Sequence, residues 1–194
     1  SFAASKGRAV NRIRLSALCL ALSAALAACG GGDDSNSQPM DLTILHINDH
    51  HSNLDSKSKT LQLKTATGGA ATAVAVDAGG FARVTAAIQS LAGVSTNVLK
   101  LHAGDAQTGT LYFNRAGTDG ETDAALMNTV CFDAFTLGNH EFDKGDSGLK
   151  KFIDLLHKGT CKTPVLSANV TFGAHSVLNA TKASGYVKKS TVIE

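Results

Sequence analysis

The chain has 194 residues, 43% of them hydrophobic, and carries 18 Lys and Arg against 16 Asp and Glu, a formal charge of +2. That length holds one ordinary domain with a sizeable core. The near balance of charge, with no Trp and only two Tyr and eight Phe, excludes the basic stripe and stacking platform of a protein that binds a nucleic-acid polymer.

At the N-terminus Lys6, Arg8, Arg12 and Arg14 precede an uncharged run from Leu15 to Ala28 that closes on Leu26-Ala27-Ala28. A basic segment, an apolar segment and small residues in that order predict a cleaved secretory signal over residues 1–28. The apolar run falls short of the roughly 20 residues that cross a bilayer. The junction with Cys29 resembles a bacterial lipobox, which makes Cys29 the lipidated residue, residues 29–40 a Gly/Ser-rich tether with nothing to bury, and residues 41–194 the folded part. The expected location is the periplasm or cell envelope, with membrane attachment through the lipid. Cleavage removes four cations and no carboxylate, leaving 14 Lys and Arg against 16 Asp and Glu, or −2.

From Asp41 short β-rich runs alternate with helical periodicity. Leu42 to Ile47 reads as a strand. Residues 60–78 are of low complexity around Gly68-Gly69 and read as an inserted hairpin or a mobile loop. Gly80 to Leu91 places Phe81, Val84, Ala87, Ile88 and Leu91 on one helical face. Val98 to Leu101 is the next strand, followed by a loop rich in Gly, Asp and Thr. Glu121 to Thr129 reads as a helix, Phe132 to Leu137 as a strand, Ser147 to Lys158 as a helix burying Leu149, Phe152, Ile153 and Leu156, and Pro164 to Ala168 as a strand. One more strand is expected near Tyr186 to Val192. Alternating strands and helices predict an α/β fold with a mixed, largely parallel sheet flanked by helices.

With Cys19 in the signal and Cys29 at the lipid position, Cys131 and Cys161 remain. Both precede predicted strands, so in an exported protein they invite a disulfide. Zinc binding by two cysteines without a CxxC is the alternative.

Three strand ends carry ligand-type residues, where a parallel sheet gathers its ligands. After the first strand, Asp49-His50-His51 read as an extended run would aim Asp49 and His51 to one side and His50 away. Alone, the tripeptide fits a capped loop with solvated histidines better than a metal grip. Asp105 follows Gly104 after the second strand, with lone pairs enough to bridge two cations. After the third, Gly138-Asn139-His140-Glu141-Phe142-Asp143 offers Asn139 as a neutral oxygen ligand, His140 as a proton donor and Asp143 as its orienting carboxylate, with Glu141 as a loop group. His46, His50 and His102 neighbour these ligands and are expected to fill hydrogen bonds. Arg83 is expected to face solvent or a carboxylate, and His157 to be solvated on its helix.

Asp49-His50-His51, Gly104-Asp105 and Gly138-Asn139-His140-Glu141, in this order and spacing, resemble the bacterial 5′-nucleotidase branch of the calcineurin-like metallophosphoesterases, as do HINDHHS, GDAQTGT, GNHEFD, GGFAR (79–83) and LSANV (166–170). The resemblance covers residues 41 to about 170 and implies the N-terminal half of a metallophosphoesterase-type α/β sandwich. It implies two divalent metal ions (Zn, Mn, Co or Fe), with Asp49 and His51 on the first, Asp105 bridging and Asn139 on the second, and His140 acting on phosphate with Asp143 behind it. The implied reaction is in-line attack by hydroxide on phosphorus, with nucleoside 5′-monophosphates, UDP-sugars or 2′,3′-cyclic nucleotides as substrates.

The family's downstream GH and GHxH motifs and its nucleoside-binding C-terminal domain do not occur in these residues. His175 lacks the expected neighbours. The chain is therefore expected to be a fragment whose site a missing C-terminal domain completes, with doubtful activity by itself. A thiosulfohydrolase-like relative and a truncated, non-catalytic lipoprotein are the competing readings.

Overall fold

The computed structural model describes residues 39–64, 67–180 and 184–193. The expected signal at 1–28, Cys29 and nearly all of the tether lie outside the described residues. Met40 to Glu194 form one compact unit.

Four strands, β1 (Thr43–Ile47), β4 (Val98–His102), β5 (Ala134–Thr136) and β6 (Val165–Leu166), make a sheet in the order β1-β4-β5-β6. Every neighbouring pair is parallel. The antiparallel pair β2 (Ser56–Lys64) and β3 (Ala71–Gly79) forms a separate two-stranded ribbon, so the α/β fold with its largely parallel strands is as expected and the hairpin reading of 60–78 holds, extended at its N-terminal side. Near Lys188 there is a single parallel bridge to Leu166 rather than a strand, made by Ser167 N–H to Lys188 O at 2.8 Å and Lys188 N–H to Val165 O at 2.9 Å.

The crossovers carry α1 (Phe81–Ala92), a short α2 (Leu111–Arg115), α3 (Glu121–Val130) and α4 (Gly145–Leu156). Sequence patterning missed α2, which five residues cannot announce by periodicity. Phe81 and Ile88 of α1, Met127 and Val130 of α3, and Leu149, Phe152, Ile153 and Leu156 of α4 join Phe135 and Val165 of the sheet in one buried cluster. Each such side chain contributes about 1.5–3 kcal/mol by leaving water. Leu91, expected on the buried face of α1, is instead 51% exposed at its last turn. His157 caps α4 and its Nε2 lies 2.9 Å from Thr163 O, so it is bonded rather than solvated. Arg83 pairs with Asp77 at 2.6 Å.

Cys131 and Cys161 stand just ahead of the paired strands β5 and β6 and are joined in a disulfide, with Cα atoms 5.1 Å apart and a sequence separation of 30. It ties the end of α3 to the entrance of β6. Replacing both cysteines by alanine is expected to lower the free energy of unfolding by about 3–4 kcal/mol through restored freedom of the unfolded loop, measured by urea denaturation. A loss below about 1 kcal/mol would mean that the staple leaves the unfolded chain unconstrained.

Candidate metal centre

The parallel pairing of β1 and β4 does not stop where the strands end. Ala103 N–H bonds Ile47 O at 2.9 Å, Asp49 N–H bonds Gly104 O at 3.0 Å, His51 N–H bonds Asp105 O at 3.2 Å and Ser52 N–H bonds Ala106 O at 3.0 Å. The two loops that carry Asp49, His51 and Asp105 are thus zipped backbone to backbone.

The third loop is fastened by Glu141, which is 1% exposed. Its Oε2 accepts from Gly138 N–H at 2.6 Å and Asp105 N–H at 2.9 Å, and its Oε1 from Ala106 N–H at 2.8 Å. His140 N–H in turn donates to Asp105 Oδ1 at 2.9 Å. The loops approach so closely that a Cβ on Gly104, where φ is +99°, would lie 2.6 Å from Gly138 N. Only glycine fits such a contact at such a backbone angle.

This fastening brings ligand atoms of His51, Asp105 and His140 within 4.8 Å of one another. Imidazole with carboxylate is a donor set that first-row divalent cations accept. Asp49 sits beside them, its Oδ1 3.5 Å from His51 Nε2. The Asn48 amide bonded to Asp49 and the neighbouring His51 imidazole hold the Asp49 carboxyl below the usual carboxylate range. Asn139 is exposed at the head of the 3₁₀ turn His140–Phe142. The rings of His51 and His140 meet edge to face, with centroids 4.8 Å apart.

The extended geometry expected for Asp49-His50-His51 is not what the chain adopts. Asp49 and His51 have φ of 51° and 44°, as do Ser52 at 49° and Asp105 at 52°. The Asp49 and His51 side chains converge because the backbone coils in the left-handed region, not by strand alternation. Each such residue stores of order 1 kcal/mol or more of strain, held by the zipped loops.

His140 Nδ1 bonds Asp143 Oδ2 at 2.8 Å. That bond raises the His140 pKa above the ordinary imidazole value, with burial opposing it, and lowers that of Asp143, to which Thr108 adds a further hydrogen bond. The bond leaves Nε2 as the ring nitrogen of His140 not committed to Asp143.

Beneath these loops lies a polar group that sequence reasoning only half found. His50 turns inward, with Nδ1 2.9 Å from His102 Nε2 and Nε2 3.1 Å from Asp123 Oδ1. Ser52 Oγ donates to Asp123 Oδ2 at 3.0 Å. Asp123 and Ser52 were not anticipated. Asp123, Met127 and Val130 are buried at spacings of four and three residues on α3, so a carboxylate on the apolar stripe was the available signal. Burial, with His50 alongside, pushes the His102 pKa down to about 3 and keeps it neutral.

These loops lie at the carboxyl ends of a parallel sheet, where α/β folds gather their ligands. Residues 42–184 match the family model for calcineurin-like phosphoesterases, and the chain belongs to that family. It is 45% identical over 178 residues to a Treponema pallidum protein named "Probable 5'-nucleotidase", covering 92% of this chain and 26% of that protein. It is 49% identical over 139 residues to the NAD 5'-nucleotidase of Haemophilus influenzae, covering 72% and 21%. The solved structure of the Haemophilus influenzae NAD nucleotidase superposes with a TM-score of 0.63 at 46% identity, over 76% of this chain and 26% of that one. The chain thus spans about a quarter of the length of the relatives it matches.

In metal-free protein, the His140 imidazole is expected to titrate above the ordinary 6.5. Asp143→Asn removes the carboxylate that favours the protonated ring, so the midpoint should move down toward that value, read by NMR of the ring protons. An unchanged midpoint would mean that the His140–Asp143 bond is not made in solution.

Proposed function

We propose that this chain carries the metal-binding loops of an exported 5′-nucleotidase that releases phosphate from nucleoside 5′-monophosphates. The observation that carries the proposal is the convergence of His51, Asp105 and His140 within 4.8 Å, with His140 held from behind by Asp143. The nucleotide part rests on what the relatives are named for. The expectation of export is supported by the disulfide between Cys131 and Cys161, a bond that persists in oxidising compartments.

In this reading Asp49, His51, Asp105 and Asn139 would hold two divalent cations. When bound, such cations lower the pKa of water and offset the charge that spreads over the phosphoryl oxygens. The other tasks fall to the chain. Asp143 fixes the proton of His140 on Nδ1 when the ring is neutral, and favours the doubly protonated ring when it is charged. His140 then presents Nε2–H to the phosphoryl group and can pass that proton to the leaving 5′-oxygen. Glu141 keeps the loop backbones from moving apart as charge builds between them.

The test is phosphate release from AMP by the full-length gene product with Mn²⁺, Co²⁺ or Zn²⁺. Metal-dependent release, abolished by a chelator, is expected. His140→Ala should lower turnover about 100-fold or more while Mn²⁺ occupancy persists. Asp105→Asn should lose both metals. Absence of AMP hydrolysis with every metal, or His140→Ala turning over like wild type, would overturn the assignment.

A further inference from the structure

The buried chain of Ser52, Asp123, His50 and His102 has no place in the chemistry above. It nevertheless runs directly under both ligand-bearing loops. Ser52 and Asp123 are 0% exposed and His102 is 1% exposed. The rings are enclosed by aromatic edges: His50 lies 5.0 Å from Phe81, and His102 lies 5.3 Å from Phe132 and 5.2 Å from Phe135. Polar groups placed in such surroundings cost stability unless each is bonded.

The protons can be assigned from one end to the other. Gly104 N–H, which can only donate, points at His102 Nδ1 at 3.2 Å. His102 therefore carries its proton on Nε2 and donates to His50 Nδ1 at 2.9 Å. His50 must then carry its own proton on Nε2, where Asp123 Oδ1 accepts at 3.1 Å. Ser52 supplies the second donor to the Asp123 carboxylate. Every ring nitrogen has one partner of the correct kind, and the chain works in one direction only.

Its attachment points are informative. One end holds Gly104 N–H, the residue before Asp105. The middle holds the ring of His50, whose two neighbours are Asp49 and His51, both in the left-handed region. The other end is the first turn of α3, anchored in the core through Ala124 and Met127.

We propose that Asp123, His50 and His102 are positioning residues: their hydrogen-bond relay fixes the two strained loops so that Asp49, His51 and Asp105 face one another before metal arrives. The inference rests on the metal reading of those ligands. Breaking the relay frees the His50 ring, lets Asp49 and His51 relax toward unstrained angles, and costs metal affinity without removing any ligand. Groups that orient ligands in this way are worth about 10- to 100-fold in affinity or activity.

The test has two readouts on the intact chain. Long-range ¹H–¹⁵N NMR of the metal-free wild type is expected to show His50 and His102 both as the Nε2–H tautomer; an Nδ1–H tautomer or a mixture at either ring overturns the relay, whatever the metal does. Mn²⁺ affinity, measured by calorimetry, is expected to fall about 10- to 100-fold in Asp123→Ala. Asp123→Asn should bind close to wild type, since its amide oxygen still accepts from His50 and its NH₂ can donate to Ser52. Wild-type affinity in a folded Asp123→Ala, or an Asp123→Asn that folds but binds as weakly as Asp123→Ala, overturns the proposal. If Asp123→Ala does not fold, the tautomers and Asp123→Asn still decide. A wild type with the predicted tautomers that binds no Mn²⁺ overturns the metal reading instead, and with it the relay's purpose.

Discussion

The Glu141 carboxylate is the constraint on which the centre depends. It is buried, and both oxygens are used on backbone N–H groups of two different loops. A buried carboxylate without partners would be expensive, and three charge-assisted bonds offset that cost. Its oxygens draw Gly138 onto Asp105 at a separation that only two glycines permit. That clamp, together with the His140 N–H bond to Asp105 Oδ1, sets the distance of the third loop from the second. A residue that touches neither metal nor phosphate thus sets the spacing of those proposed to do so.

Around the clamp the chain accepts strain. Across the two loops Asp49, His51, Ser52, Asp105 and Thr108 all have positive φ. Such angles persist where the surroundings over-determine them. Here they are over-determined by the backbone zipper that prolongs β1 and β4, by Glu141 and by the buried histidines below. The hydrophobic cluster beneath the sheet supplies the rigid platform, since α3 and α4 bury residues such as Met127, Phe152 and Leu156 that are not exposed at all.

Much of this was legible in the sequence, for physical reasons. Val98-Leu99-Lys100-Leu101 and the apolar stripe of Leu149, Phe152, Ile153 and Leu156 carry their periods openly, and both elements form. Ligand-type residues after three strands pointed to the carboxyl edge of a parallel sheet, where the structure places them. What was not legible depends on tertiary context. The conformation of Asp49-His50-His51 is set by bonds to Gly104, Asp105 and Ala106, more than 50 residues away, so strand alternation was the wrong rule. The role of Glu141 was understated because its partners are backbone atoms, which no sequence displays. Asp123 lies 73 residues from His50, and on paper it is one more acidic residue in the first turn of a helix, where acids are common. The segment at 186–192 has β-branched residues but finds only one bridging position on β6, a strand of two residues.

The central claim is that three strand-end loops are prearranged as one divalent-cation centre. Diffraction from crystals soaked in Mn²⁺, recorded above and below the manganese absorption edge, tests it most directly. The prediction is an anomalous peak bonded by His51 and Asp105, with Glu141 still on the three backbone N–H groups and the loops unmoved. A peak away from these residues, or a site that forms only after the loops rearrange, would contradict it.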